Sequence, residues 1–163
     1  MNDYLTAFIG FFTSTEYQWL ILFTSAFLSA TLLPGNSEIV FTTLVSQALW
    51  KNGEDMPLQL LLLLTSATLG NSLGSITTYF LARLVPEPQL HNLRSGKARW
   101  ALTVSQRYGV WALLLSWLPV IGDLLCGIAG WLRFHFAMSV LCITLGKLAR
   151  YLVILFGVYV WVG

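Results

Sequence analysis

The chain has 163 residues, 56% hydrophobic and 10% charged, with a mean hydropathy of +0.72. Soluble domains carry about 25% charge, so this stock of polar residues cannot clothe a water-exposed surface. The composition fits a single membrane domain over 1–163, and a net charge of +2 is too small to argue for nucleic acid as a partner.

In chain order, residues 4–14 (YLTAFIGFFTS) are short and aromatic and fit an interfacial segment or an extension of the next helix. The start lacks a basic n-region and a small-residue cleavage site, so an uncleaved first segment is expected. Residues 17–33 are apolar, with Tyr17 and Trp19 at one end. LLPGNSE at 32–38 then interrupts the run. The apolar piece that follows, 39–50, makes about 18 Å of helix, too short to cross a bilayer core of about 30 Å. KNGEDMP at 51–57 reads as a polar turn, and 58–83 as the clearest crossing. PEP at 86–88 stops that helix. Arg83, Arg94, Lys97, Arg99 and Arg107 stand against Glu87 alone, and no Lys or Arg precedes Lys51. By the positive-inside rule the basic loop 84–107 faces the cytoplasm, its latter part (96–107) lying along the surface as an amphipathic helix. Apolar residues 110–118 are broken by PVIGD at 119–123, a short piece ends at Arg133, and 134–161 is long enough to cross.

Both breaks obey one logic. Pro34 removes a backbone donor and disfavours helix just before it. Gly35 permits unusual backbone angles, and Asn36 or Ser37 can cap a helix starting near Glu38. Likewise Pro119 stops a helix, Gly122 bends the chain, and Asp123 starts the next. Unsatisfied backbone in hydrocarbon costs several kcal/mol per group, so each tip must be buried in protein or line a wet cavity. The order is broken segment, whole segment, broken segment, whole segment. With the basic loop in the cytoplasm, the hairpin 17–50 enters from outside and the hairpin 108–133 from inside. The expected fold is therefore an all-α integral membrane protein of two inverted repeats, each a re-entrant hairpin followed by a transmembrane helix, plus short amphipathic segments.

The acids Glu38 and Asp123 sit at the two tips, where an acid costs roughly 2.5–3.5 kcal/mol to insert. Lys147 and Arg150 lie within the last long segment. Either they pair with Glu38 and Asp123, or they snorkel to the interface over about 20 to 25 Å of helix. Ser66, Gly70, Gly74 and Thr78 give the 58–83 helix a small face that admits a close neighbour, with Asn71 beside it. Arg83 and Arg133 read as helix-end anchors at headgroup level. Cys126 and Cys142 fit packing, not a disulfide or metal. His91 and His135 lie in no nucleophile motif, so neither a cofactor nor an enzymatic role is expected. Acids and cations around a cavity suit an anionic phosphate headgroup, with the acids carrying protons. The transport site is thus Asn36, Ser37, Glu38, Asn71, Asp123, Arg133, Lys147 and Arg150, around hairpin tips at Pro34, Gly35, Pro119 and Gly122. The competing readings are a small proton- or ion-coupled transporter of another solute and a non-catalytic assembly factor.

LLPGNSE (32–38), LGNSLGSITTYFLARLVP (69–86), RYGVWALLLSWLPVIGDLLCGIAGWLRF (107–134) and LGKLARY (145–151) together resemble the DedA family of bacterial inner-membrane proteins, related to the VTT-domain lipid scramblases, and within it the short YqaA-type branch. The resemblance implies two opposed re-entrant hairpins and movement of lipids between leaflets. The implied cargo is undecaprenyl phosphate, returned for envelope synthesis under the proton gradient. It places Glu38 as the acid of the first hairpin, Asn71 or Ser72 near a usual acid, Tyr79 and Arg83 in their family positions, and AGWLRF (129–134) at the exit of the second hairpin. The arginines that larger members carry around the second tip are missing: Ser116 and Trp117 precede Pro119 here, leaving Lys147 or Arg150 as substitutes. Expected partners are membrane lipids and protons, with a homo-oligomer left open.

Overall fold

A computed structural model describes residues 17–31, 36–51, 56–85 and 96–162. The aromatic segment 4–14, the first tip at Pro34 and Gly35, the turn at 52–55 and the loop 86–95 lie outside the described residues. Those that are described contain helices and no strand: α1 (Gln18–Thr31), α2 (Asn36–Lys51), α3 (Met56–Leu84), α4 (Gly96–Tyr108), a 3₁₀ segment (Gly109–Trp117), α5 (Ile121–Trp131) and α6 (Phe136–Val162).

Only α3 and α6 are long and apolar enough, among the described residues, to cross a bilayer. With 29 and 27 residues they measure about 43 and 40 Å, against a core of about 30 Å. Their apolar windows are 44% and 33% buried, so most of each faces outward, unlike the core helix of a soluble protein. Trp50, Leu84, Phe156 and Trp161 are among the large apolar side chains left exposed. Hydroxyls on outward faces are settled within their own helix: Thr24, Thr43 and Thr65 each donate to the carbonyl four residues back, which removes an orphan donor from hydrocarbon. Pro57 occupies the first turn of α3, where its missing donor is harmless.

Helix α1 runs parallel to α3, from Gln18, whose Oε1 accepts from Gln59 Nε2 at 3.0 Å, to Ala30, whose carbonyl accepts from Thr78 Oγ1 at 3.2 Å. The close approach is made by the small face of α3. A methyl group on Gly70 would strike the carbonyl of Phe23, and one on Gly74 would fall 2.7 Å from Ala30 Cβ. Helix α5 also runs parallel to α3, from Asp123 beside Ser75 to Gly130 against the backbone of Tyr79. The end of α1 and the start of α5 thus meet at one level of α3, between Ser75 and Thr78. The 3₁₀ segment packs on α6, where Ser116 Oγ donates to the Ile143 carbonyl at 3.3 Å and lies against Gly146. Helix α2 packs on α6 as α5 packs on α3. One apolar cluster gathers Leu22, Phe41, Val45, Leu63, Ala67 and Tyr151; the other gathers Tyr79, Leu102, Leu113, Leu125, Cys126 and Ile143. Both cysteines are free and buried.

Two local readings are corrected. The second break takes its left-handed residue at Val120 (φ 65), not at Gly122. Gly122 lies inside α5, where its missing side chain admits the backbone of Ser116. A β-branched residue at positive φ is a strained choice. Nor is the arm before Pro119 an α-helix: its nine residues are 3₁₀, long for that geometry. The amphipathic expectation is met in α4, which buries Ala101, Leu102 and Ser105 and exposes Lys97, Arg99, Trp100 and Arg107.

Candidate functional site: two ion pairs on one helix

Lys147 and Arg150 lie three positions apart on α6, so they project from the same side about 4.5 Å apart in rise. Each takes one hairpin acid. Lys147 Nζ donates to Asp123 Oδ1 at 2.5 Å, and Arg150 Nη2 donates to Glu38 Oε1. Asp123 and Glu38 each stand in the first turn of their helices, α5 and α2, where the positive end of the helix favours an anion. Helix α6 is therefore the common post to which both hairpins are tied.

Exposure is lopsided within each pair. The Lys147 side chain is 0% exposed and its acid 24%; Arg150 is 7% exposed and its acid 33%. The carboxylates are the reachable members and the cations stand behind them. A buried cation is tolerable only while its partner stays charged, so each acid holds in place a positive charge that nothing else neutralises among the described residues.

A string of hydroxyls and an amide links the pairs to the rest of the fold. Ser75 Oγ donates to Asp123 Oδ1 at 3.3 Å. Asn71 Nδ2 donates to Tyr151 Oη at 2.9 Å, Tyr151 Oη donates to Ser37 Oγ at 3.2 Å, and Ser37 Oγ donates to Ser29 Oγ at 3.3 Å. Four helices, α1, α2, α3 and α6, meet in that string. Tyr151 is fully buried and packs its ring on Phe41 with centroids 5.0 Å apart. Asn71 Oδ1, Ser72 Oγ and Arg150 Nε are buried with no hydrogen-bond partner among the described residues. Each such group costs about 1–3 kcal/mol.

The residues expected in the site separate into three groups. Ser37, Glu38, Asn71, Asp123, Lys147 and Arg150 come together. Ser37 does so as a link between helices, not as a cap; of Asn36 only its place at the start of α2 is described. Arg133 does not join them: it is exposed, at φ 55, where the chain leaves α5. Pro119 is exposed at the turn, while Gly122 packs on the 3₁₀ arm. Ser29, Ser75 and Tyr151 belong to the cluster and were not in the expected set. Ser75 falls one helical turn after Asn71, and Tyr151 directly follows Arg150, so the spacing carried a signal for both.

Two buried cations, each paired with an acid of a short helix, and two helices long enough to span are consistent with a membrane transporter. The family model described as VTT domain matches residues 34–160, and the chain belongs to that family, the DedA proteins. It is 52% identical over 135 residues to an uncharacterized protein of Haemophilus influenzae, covering 83% of each chain. It is 43% identical over 133 residues to the inner membrane protein YqaA of Escherichia coli and to that of Shigella flexneri, covering 82% of this chain and 85% of each relative. No solved structure matches.

Proposed function

We propose that this protein sits in the bacterial inner membrane and carries a phosphate-bearing lipid between leaflets, with proton binding at Glu38 and Asp123 linked to the movement. Undecaprenyl phosphate is the proposed cargo, and envelope maintenance the purpose. The observation that carries the reading is the arrangement of the pairs: reachable carboxylates in front of buried cations. As it stands the site is neutral and repels no one. Once Asp123 or Glu38 takes a proton, the ammonium or guanidinium behind it loses its counter-charge in a low-dielectric setting. A phosphate oxygen is the natural replacement, since Lys and Arg donate strong charge-assisted hydrogen bonds to it. Proton and phosphate thus enter together, and neither is held without the other. The departing headgroup leaves the acid to ionise again and re-form its pair.

The contact pattern supports the two-hairpin architecture in this reading. Hairpins 17–50 and 108–133 each lay one arm on the long helix of their own half and the other arm on the long helix of the opposite half. We read them as re-entrant, entering from opposite faces, with α3 and α6 crossing and the basic region 84–107 in the cytoplasm. The acids then approach α6 from opposite sides, as alternating access requires.

A second reading, a proton- or ion-coupled carrier of another solute, draws on the same exposure of the carboxylates. One experiment separates them. The purified chain is placed in vesicles with labelled undecaprenyl phosphate, phosphatidylglycerol or phosphatidylcholine, with and without an imposed proton gradient. Gradient-dependent movement of a phosphate-bearing lipid supports the first reading. Proton flux without movement of any lipid overturns it in favour of the second.

A further inference from the structure

The two cations of α6 are not equivalent. A lysine ammonium can give up a proton and become a neutral amine; an arginine guanidinium keeps its charge. At the Asp123 pair the charges can therefore cancel by transfer. The Lys147 Nζ–H bond breaks, an Asp123 Oδ1–H bond forms, and a neutral amine faces a neutral acid with no net change of charge. Nothing further has to enter. At the Glu38 pair no such exit exists. Once Glu38 takes a proton, Arg150 stays positive, and a buried charge without a partner is the costly outcome. An anion has to replace the carboxylate.

The hydrogen bonds divide the pairs along the same line. Asp123 is held twice, by Lys147 Nζ and by Ser75 Oγ, so it stays placed when the lysine is neutral. The Glu38 carboxylate has Arg150 as its one hydrogen-bonding partner among the described residues, and it is the more exposed of the two acids. Arg150 gives Nη2 to Glu38 and keeps Nε buried, with no partner among the described residues. A guanidinium presents its N–H groups as a planar fork that matches two oxygens of a phosphate. Arg150 thus has an unused donor behind a carboxylate that no second bond retains. Its neighbour Tyr151 is bonded to Asn71 of α3 and Ser37 of α2, which fixes this turn of α6 against both helices. Tyr151 stands beside the Arg150 pair and Cys126 beside the Lys147 pair as further titratable groups; a tyrosine and a cysteine are both ordinarily neutral at pH 7.

We propose that Arg150 is the cation that holds the phosphate group, taking it in exchange for a protonated Glu38, while Lys147 and Asp123 pass a proton between themselves and hold no anion. This rests on the transport reading, in which a phosphate enters as an acid is protonated, and assigns that event to one pair. A lipid headgroup and free phosphate offer the same oxygens, and the experiment separates them.

The test is calorimetric titration of the full chain, in uncharged detergent micelles, with farnesyl phosphate or with inorganic phosphate. It is run between about pH 7.5 and 8.5, where a phosphate monoester is doubly ionised. Two buffers of different ionisation heat report affinity and protons exchanged together. The parent should take up about one proton per farnesyl phosphate bound and lose affinity as pH rises. Glu38→Gln should bind more tightly and take up none. Asp123→Asn should still take up about one. Arg150→Lys, which keeps a cation but loses the fork, should weaken capture by about tenfold or more; Lys147→Met should weaken it far less. Equal losses in those two variants, or proton uptake that vanishes in Asp123→Asn and persists in Glu38→Gln, overturns the proposal. Where Asp123→Asn or Arg150→Lys does not fold, Glu38→Gln and Lys147→Met decide by the same readings. Capture of farnesyl phosphate alone makes the ligand a lipid headgroup. Equal capture of inorganic phosphate keeps the assignment to Arg150 and counts against a lipid cargo. A parent that captures neither probe overturns the transport reading and the proposal together. Capture lost in Lys147→Met and kept in Arg150→Lys removes the proposal and leaves the transport reading standing.

Discussion

Asp123→Asn tests the ion-pair arrangement most sharply, because the two partners differ in burial. The variant is nearly isosteric and can still accept from Ser75. It strips the counter-charge from an ammonium that is 0% exposed. Removing one partner of a buried pair costs about 3–5 kcal/mol; with Asp123 itself 24% exposed, the lower end, about 3 kcal/mol, applies. Lys147→Met is the gentler change. It leaves a carboxylate that is partly reachable and still bonded to Ser75, a loss of about 1–2 kcal/mol. The double variant removes both charges and should recover most of the deficit, giving a coupling of about 3 kcal/mol. The assay is reversible denaturation in mixed micelles, read through tryptophan fluorescence. Lipid movement should be lost in all three variants, so stability and transport part company in the double variant. Equal single losses that simply add, within about 0.5 kcal/mol, would refute the reasoning.

Further outcomes follow from single contacts. Tyr151→Phe deletes the oxygen that accepts from Asn71 and donates to Ser37; it should cost about 1–3 kcal/mol on the same denaturation assay, and no loss would remove the tyrosine from the linking string. Gly74→Leu should cost about 1–3 kcal/mol or more, since even a Cβ there falls 2.7 Å from Ala30 Cβ; a crosslink between α1 and α3 should weaken with it. Gly127→Ala should do the opposite and stabilise by about 1 kcal/mol, a gain visible as a raised melting temperature. Gly122→Ala, by contrast, should destabilise, because a methyl group there meets the Ser116 backbone.

Much of the site was legible because membranes penalise the same things everywhere. A proline and an acid inside an apolar run are costly, so Glu38 and Asp123 announce themselves without any knowledge of their neighbours. Lys147 and Arg150 stand out for the same reason. What the string of residues did not carry was the matching. Glu38 meets Arg150 across 112 positions and Asp123 meets Lys147 across 24, and nothing in either local pattern prefers that assignment to its reverse. Arg133 reads like the other cations and yet lies apart from them, since one turn of chain at φ 55 sends it to the exterior.

The sequence by itself determined the solvent, the number of long apolar helices, the positions of the breaks and the identity of the costly charges. These follow from hydropathy and from backbone chemistry acting over a few residues. Only the tertiary structure decided which cation faces which acid, that the carboxylates stand in front and the cations behind, and which glycines are filled by a neighbour. It also decided that the bend at the second break is borne by Val120. Those outcomes depend on how helices distant in the chain approach one another, and a one-dimensional period cannot encode the side on which a neighbour will arrive. Gly122, Gly127 and Gly130 make the point: alike in sequence on one short helix, two are closed by backbone from elsewhere, and one is left open.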